Sequence, residues 1–325
     1  MAGEPAGKVA AKECRAGGAA AGGIAGRLDL VTLRLFVTIV EEQSFIRAAE
    51  RARIAPSALS KRISDLEHAC GFALLARSHK GIEPTAAGRA LLHHARLILR
   101  DVAQLESELA EFSQGTRGFV RIAANDSSIF GFLPEELRDF LDRHPNVHVE
   151  VQADLSPRIV QGIADGAADI GLFAGDVPTG ELAVFPYHRD RLRVALPEGH
   201  KLAARDQVRF TDLLAYELIF PEEQSSIDTL LFRAAAAVGR SVKARIRVGS
   251  FEAVFRMVEM GIGLGIVPEQ FAARVGPSMR IRTLPLAECW AVREHKLCVR
   301  SLDSLPVAAR LLVERLVLAE RAGEP

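Results

Sequence analysis

A chain of 325 residues, 49% hydrophobic and 25% charged, is long enough for two or three domains of roughly 100–200 residues each and apolar enough for sizeable cores. Lys+Arg and Asp+Glu balance at 41 each, which taken alone argues against a nucleic-acid binder, and no apolar run reaches the roughly 18 residues that a membrane-spanning helix requires. The distribution of charge is more telling, since residues 28–100 carry 11 Lys and Arg against 7 Asp and Glu, whereas residues 101–325 carry 26 against 32. A basic front and an acidic rear fit a DNA-reading module joined to a part that does not touch DNA.

Residues 1–27 are rich in Ala and Gly, with Lys8, Lys12 and Arg15 spread among them. They lack the apolar core and cleavage site of a signal peptide and read as a disordered leader. Leu33, Phe36, Val37 and Val40 then form a helical stripe. Ser44 is a suitable N-cap for a helix over 44–52, in which Ala48, Ala49 and Ala52 are small enough for close helix crossing. A turn at Ile54-Ala55-Pro56 leads to a second helix over 57–67. Leu59, Ile63, Leu66 and Cys70 make its buried stripe, and Ser57, Ser60, Lys61 and Ser64 fall on the opposite face. This is a helix-turn-helix pattern. Short hydroxyls and a cation on an exposed face suit the major groove, where small donors reach base edges and Lys meets phosphate; a solvated bundle face is the alternative. Glycines at 71 and 81 and Pro84 bracket a short apolar run that reads as a β-hairpin wing, with Arg77 and Lys80 placed for phosphate contacts.

Thr85 caps the next helix. Along it Leu91, Ala95, Ile98, Val102, Leu105, Leu109 and Phe112 alternate steps of four and three, a heptad pattern that argues for a coiled-coil dimer seam. Packing of this helix onto its own domain is the alternative. Ser113–Gly118 reads as a linker. Beyond it strands (119–124, 147–152, 170–173) alternate with helices (134–143, 157–165), an α/β layout with parallel strands. A second lobe is expected to open at 192–196 and to hold strands 218–220, 244–248 and 262–267 with helices 228–238 and 251–260. A final helix over 306–318 would return to the first lobe.

Signs of catalysis or metal binding are weak. Cys14, Cys70, Cys289 and Cys298 form no CxxC pair and no zinc spacing, and their scatter suits a reducing cytoplasm. Cys289 and Cys298 are open to a redox reading, with buried free cysteine as the plainer one. His188-Arg189-Asp190 matches three residues of a kinase catalytic loop but has no phosphate-cradling partner motif and is read as coincidence. Pro145 breaks the helical register between His144 and His148. The glycines at 261, 263 and 265 lack dinucleotide-binding spacing and read as a tight helix-to-strand turn. No enzyme activity, cofactor or metal is expected.

Taken together, Leu33, Phe36, Ser44-Phe45, Ala48-Ala49, Ser57-Ala58-Leu59-Ser60, Ile63, Leu66-Glu67, Gly71, Leu74-Leu75, Arg77, Thr85 and Gly88 resemble the LysR-type transcriptional regulators. Ser250-Phe251-Glu252-Ala253-Val254 and the run from Gly261 to Pro268 resemble the effector-domain signature of the same family, so the similarity spans about residues 28–320. The resemblance implies an α+β multidomain protein. It would comprise a winged helix-turn-helix (28–86), a linker helix and hinge (87–118), and a two-lobed α/β effector domain like a periplasmic binding protein (119–320). Lobe 1 would take about 119–188 and 286–320, and lobe 2 about 189–285. The implied DNA contacts fall on Pro56, Ser57, Ser60 and Lys61, with Arg77 in the wing. Here Pro56-Ser57 stands where the family often has Gln-Pro, and Lys61 replaces a commoner Arg, so the usual adenine and bidentate contacts are absent.

The implied effector pocket lies between the lobes. Asn125, Ser127 and Ser128 come from lobe 1, Ser225, Ser226 and Phe251 from lobe 2, and Phe173 is the expected apolar wall. A small co-inducer, expected to be an organic anion, would bind there, although Asp126, Glu222 and Glu223 make the surroundings acidic. Double-stranded promoter DNA, a second copy of the chain in a homodimer or homotetramer, and RNA polymerase are the expected partners. A solute-binding protein without DNA contacts is the competing reading.

Overall fold

The computed structural model describes residues 28–78, 81–114, 118–242 and 244–322. The expected leader, Lys80 and residues 115–117 of the linker lie outside these, as do the side chains of Leu109 and Phe112. The described residues form two compact units that divide between Ala95 and Arg96.

In the first unit, α1 (Leu30–Glu42), α2 (Phe45–Ala52) and α3 (Pro56–Cys70) precede a hairpin of β1 (Leu75–Ser78) and β2 (Gly81–Pro84), and α4 (Ala86–Gln114) begins there and runs on into the second unit. Each start has a local cause. Asp29 caps α1 by accepting from the Thr32 N–H at 2.7 Å, Ser44 caps α2, and Pro56 pre-sets the first turn of α3. Phe36, Ile39, Ala48, Ala49, Leu59, Ile63, Leu66 and Leu74 make one core, into which the two alanines admit a close helix crossing. The Glu67 carboxylate accepts from the N–H groups of Leu74 at 2.7 Å and Leu75 at 3.1 Å, tying the end of α3 to the hairpin. At the hairpin's other end the Ile82 N–H donates to the Gln43 carbonyl at 3.0 Å. Gly81 has φ +120°, and a Cβ there would stand 2.6 Å from the Gln43 oxygen, so this approach requires glycine.

The second unit runs β3 (Gly118–Ala124), α5 (Asp126–Phe130), α6 (Leu133–Arg143), β4 (Val147–Ala153), α7 (Ser156–Ala164), β5 (Ile170–Ala174) and β6 (Ala183–Pro197). It continues with α8 (Phe210–Leu213), β7 (Leu218–Phe220), α9 (Ser226–Ala237), β8 (Ala244–Arg247), α10 (Phe251–Glu259), β9 (Leu264–Pro268) and α11 (Glu269–Val275). β10 (Ile281–Pro285), β11 (Val292–Val299) and α12 (Val307–Ala322) complete it. Its described strands are ordered β4-β3-β5-β11-β6-β9-β7-β8, with β10 also on β6. The first half of β6 pairs with β11 in lobe 1, and its second half pairs with β9 and β10 in lobe 2. One long strand is therefore shared by both sheets.

Each lobe has its own core. Val120, Ile122, Tyr187 and Leu297 pack with Ala308, Ala309, Leu312 and Leu316 of α12 in lobe 1, so the last helix does return there. Phe220, Phe255, Phe271 and Val267 centre lobe 2. The close turn expected at the glycine run is present: a Cβ at Gly263 would lie 2.6 Å from the Glu217 carbonyl oxygen.

The strands expected over 119–124, 147–152 and 170–173 do pair in parallel, as β3 with β4 and with β5, while β6, β10 and β11 run antiparallel to their neighbours. One expectation needs correction: β6 is far longer than the apolar run 192–196. Pro186 and His188-Arg189-Asp190-Arg191 hid its first half, since Pro and charges oppose a central strand. Opposite His295 and Lys296 the pairing skips Tyr187, so the irregularity sits on β6 beside Pro186, and Asp190 is buried because β11 supplies its counter-charge.

Candidate functional site

On α3 the two faces separate as the periodicity requires. Leu59, Ile63 and Leu66 are buried, whereas Pro56, Ser57, Ser60, Lys61 and Ser64 are exposed. Arg77 is exposed on β1. Arg62, beside Lys61, is held by Asp29 at 2.9 Å and by Thr32, while Arg51 is engaged by Glu41 and Glu42. Lys61 makes no such ion pair among the described residues. It is therefore the α3 cation left for a partner.

Along α4, Ile98 is 43% and Leu105 54% exposed, and Leu91 and Val102 are half-buried. Ala95 differs, being fully buried within the chain. Arg100, on the polar side of the heptad, is also buried. Desolvation lowers its guanidinium pKa to about 10, and its Nε and Nη2 have no hydrogen-bond partner.

In the second unit the ends of β3 and β4 face the starts of α9 and α10 across a cavity of about 180 Å³. Drug-sized pockets run to roughly 300–1,000 Å³, so this one suits a compact molecule. Three loop-to-helix caps converge on it. Asn125 accepts from the Ser128 N–H at 2.9 Å, Ser225 from Asp228 at 3.1 Å, and Ser250 from Ala253 at 3.2 Å. Leu155, Ile227 and Phe251 supply apolar wall, and Asp126, Asp154, Glu222 and Arg158 supply charge. Arg158 is paired with Asp154 and lies 3.9 Å from Glu222. The Asp126 carboxyl has its pKa raised by burial and then by Glu252 and Glu222.

Behind the cavity lies a buried polar network that no sequence motif marks. Arg293 of β11 donates to Asp190 at 2.8 Å, to Ser127 at 3.0 Å and to Ser226 at 3.2 Å. One guanidinium thus joins a hydroxyl from each lobe. Although burial alone raises the Asp190 pKa, Arg293 and His295 outweigh it and hold the carboxyl at about 2. His295 Nδ1 lies 3.1 Å from the Ser128 hydroxyl, and its Nε2 lies 3.1 Å from Asp190 without hydrogen-bond alignment. Ser128, His295 and Asp190 run in the order of a hydrolase triad. All three are buried, Ser128 completely, and Asp190 is committed to Arg293, so the array is a core network without an open nucleophile.

Of the expected pocket residues, Asn125, Ser127, Ser225, Ser226 and Phe251 line the cavity. Ser128 sits just behind, bonded to His295. Phe173 is a correction: it is fully buried among Ile159, Val160, Ile163 and Cys298, because its alternation on β5 turns it toward α7. For the two late cysteines the plainer of the two readings, a buried free thiol, fits Cys298. Cys289 is exposed while Cys298 is buried, and burial pushes the Cys298 thiol up to about 12, which keeps it protonated and unreactive. Arg293 was missed, having no sequence signal of its own, and Asp190 stood out only within the His188-Arg189-Asp190 triplet read as coincidence.

Residues 113–319 match the family model "LysR substrate binding domain" and residues 30–89 match "Bacterial regulatory helix-turn-helix protein, lysR family". The chain is 29% identical over 279 residues to the HTH-type transcriptional regulator TtuA of Agrobacterium vitis, covering 81% of this chain and 91% of that one. Its fold is similar to a single-residue variant of full-length OxyR from Pseudomonas aeruginosa (TM-score 0.68, 20% identity, 90% and 95% of the two chains). It is also similar to full-length CbnR solved in complex with its target DNA (TM-score 0.67, 22% identity, 91% and 100%).

Proposed function

Because the chain belongs to the LysR family of bacterial transcriptional regulators, we propose that its α3 face reads promoter DNA and that a small molecule in the cleft modulates this reading. The observation that carries the proposal is the split of α3 into a buried apolar face and an exposed Ser57, Ser60, Lys61 and Ser64 face. Hydroxyls and the Pro56 turn approach base edges while Lys61 and the wing's Arg77 and Lys80 neutralise phosphates. α4 joins two copies through Leu91, Ile98, Val102, Leu105 and Leu109, with Ala95 left to packing within the chain; the exposure of Ile98 and Leu105 supports this seam. Pairing fixes the spacing of two recognition helices and hence a two-fold operator, and a homotetramer places four such helices on DNA.

The co-inducer is a compact organic anion that accepts hydrogen bonds from Asn125, Ser127, Ser225 and Ser226, with Ser128 holding the loop and Phe251 as apolar wall. Its preference for one lobe arrangement shifts the population of that state and alters the bend between half-sites. The protein works in the cytoplasm, contacts RNA polymerase from its bound site, and performs no catalysis. No described helix is long and apolar enough to cross a membrane.

The test is fluorescence anisotropy of the purified chain on duplexes from its own upstream region across a salt series. Counterion release predicts tight binding at low salt that falls steeply as salt rises. Absence of binding at low salt would favour the solute-binding reading.

A further inference from the structure

Among the described residues the cleft contains donors without acceptors and, in Asp126, a lining carboxylate without a cation. Arg293 donates to the hydroxyls of Ser127 and Ser226, so each hydroxyl has one of its two lone pairs engaged and keeps its own proton to donate. Asn125 is more than nine-tenths buried and lines the cavity, and its Nδ2 has no hydrogen-bond partner. An unpaired buried amide is costly, and a ligand oxygen would satisfy it. Arg293 itself offers no net charge to a ligand, since Asp190 cancels it.

The carboxylates make the opposite demand. Asp126 lines the cavity and has no ion pair among the described residues, and neither does the nearby Glu252. Glu222 has only Arg158, at 3.9 Å and already bound to Asp154. Burial and the two glutamates together disfavour the charged form of Asp126. A simple carboxylate ligand would satisfy the donors and be repelled by this group, whereas a simple amine would do the reverse. A bound metal is a poor answer, because no cluster of three His, Cys, Asp or Glu side chains among the described residues can hold one.

Resting on the assignment of this cleft as the effector site, and replacing a simple organic anion by one that also carries a cation, we infer that its ligand is a compact amphoteric molecule of the amino-acid class. Its carboxylate takes the hydrogens of Asn125, Ser127 and Ser226, and its ammonium answers Asp126, Glu222 and Glu252.

The experiment is titration calorimetry and thermal shift on the full chain with three matched probe sets. These are the common amino acids with L-norvaline, the corresponding carboxylates such as pentanoate, and the corresponding amines such as butylamine. At least one amino acid is expected to bind about tenfold or more tighter than its matched carboxylate and amine, and Asp126→Asn and Glu252→Gln should each weaken it several-fold. The two variants lie on different lobes, so a local folding defect cannot account for both. Carboxylates binding as tightly as amino acids, or amino-acid binding indifferent to both variants, would overturn the inference and leave the effector assignment intact. Amines binding best would also overturn it. If no probe of any set binds, the effector assignment fails and the inference with it.

Discussion

On α3 the side chains set aside for a partner are exposed, and Ser57, Ser60, Lys61 and Ser64 make no hydrogen bond or ion pair with the rest of the fold among the described residues. In the cleft the corresponding groups are held from behind, Ser127 and Ser226 by Arg293 and Arg293 by Asp190. The helix face leaves its ordering to the moment of binding, where counterion release offsets it. In the cleft that ordering is completed during folding. Substitutions on α3 should therefore change binding and spare stability, whereas substitutions behind the cleft should change stability first.

The largest effect that sharpens this contrast is expected at Asp190. Asp190→Ala leaves Arg293 buried without its counter-charge and should cost about 3–5 kcal/mol in urea unfolding of the second unit. An unchanged midpoint would break the contrast. The same pair has a pH signature. The Asp190 pKa is depressed to about 2 from 3.8, so its stabilisation is complete above the unfolded value and is lost as pH falls through the folded one. Acid unfolding should consequently steepen between about pH 4 and 2, and that limb should be missing in Asp190→Asn.

Next comes the α4 seam, on the exposed side of the comparison. Ile98→Asp with Leu105→Asp should shift the protein to monomer on size-exclusion chromatography and weaken operator binding together, with little loss of monomer stability, because both side chains are exposed. Retention of the oligomer would remove these residues from the seam. Lys61→Ala should lower DNA affinity by about 1 kcal/mol and flatten the log K against log salt slope by about 1. Its unfolding free energy should stay within about 0.5 kcal/mol of the parent.

The smallest effect is at His295. Burial and the neighbouring Arg293 and His188 hold its pKa below 6.5, against the opposing pull of Asp190. The unfolded chain therefore takes up a proton near 6.5 that the folded chain refuses, and stability declines as pH drops below that value. A His295→Gln variant should show a shallower decline between about pH 7 and 5 in thermal melts; an identical slope would assign the decline to other groups.

The helix-turn-helix was legible because its signals are consecutive: Ser44, the alanines, Pro56 and the stripe Leu59-Ile63-Leu66 lie within one short stretch governed by a single periodicity. The cleft was legible only through the family resemblance, which marks Asn125, Ser127, Ser225, Ser226 and Phe251 among its lining residues but not the third cap, Ser250. Asp190 and Arg293 stand 103 residues apart in sequence and meet only because β6 and β11 are antiparallel neighbours. Asp190 stands in a charged stretch that argues against a strand, and Arg293 lies in a segment where the sequence marks no element. Phe173 misled for a related reason, since a continuous apolar strand does not reveal which face its aromatic takes. Ala95 is small enough to suit either a seam or a close contact within the chain, and the structure buries it within the chain.

Selection of bound sequences from a randomised duplex pool by the full chain at low salt tests the central claim most directly. The account predicts enrichment of two related half-sites in approximate two-fold symmetry at a fixed spacing, with base preference altered by Ser60→Ala and overall affinity lowered by Lys61→Ala. A pool that emerges without enrichment, or one enriched equally by a variant lacking the Ser57, Ser60, Lys61 and Ser64 side chains, would contradict it.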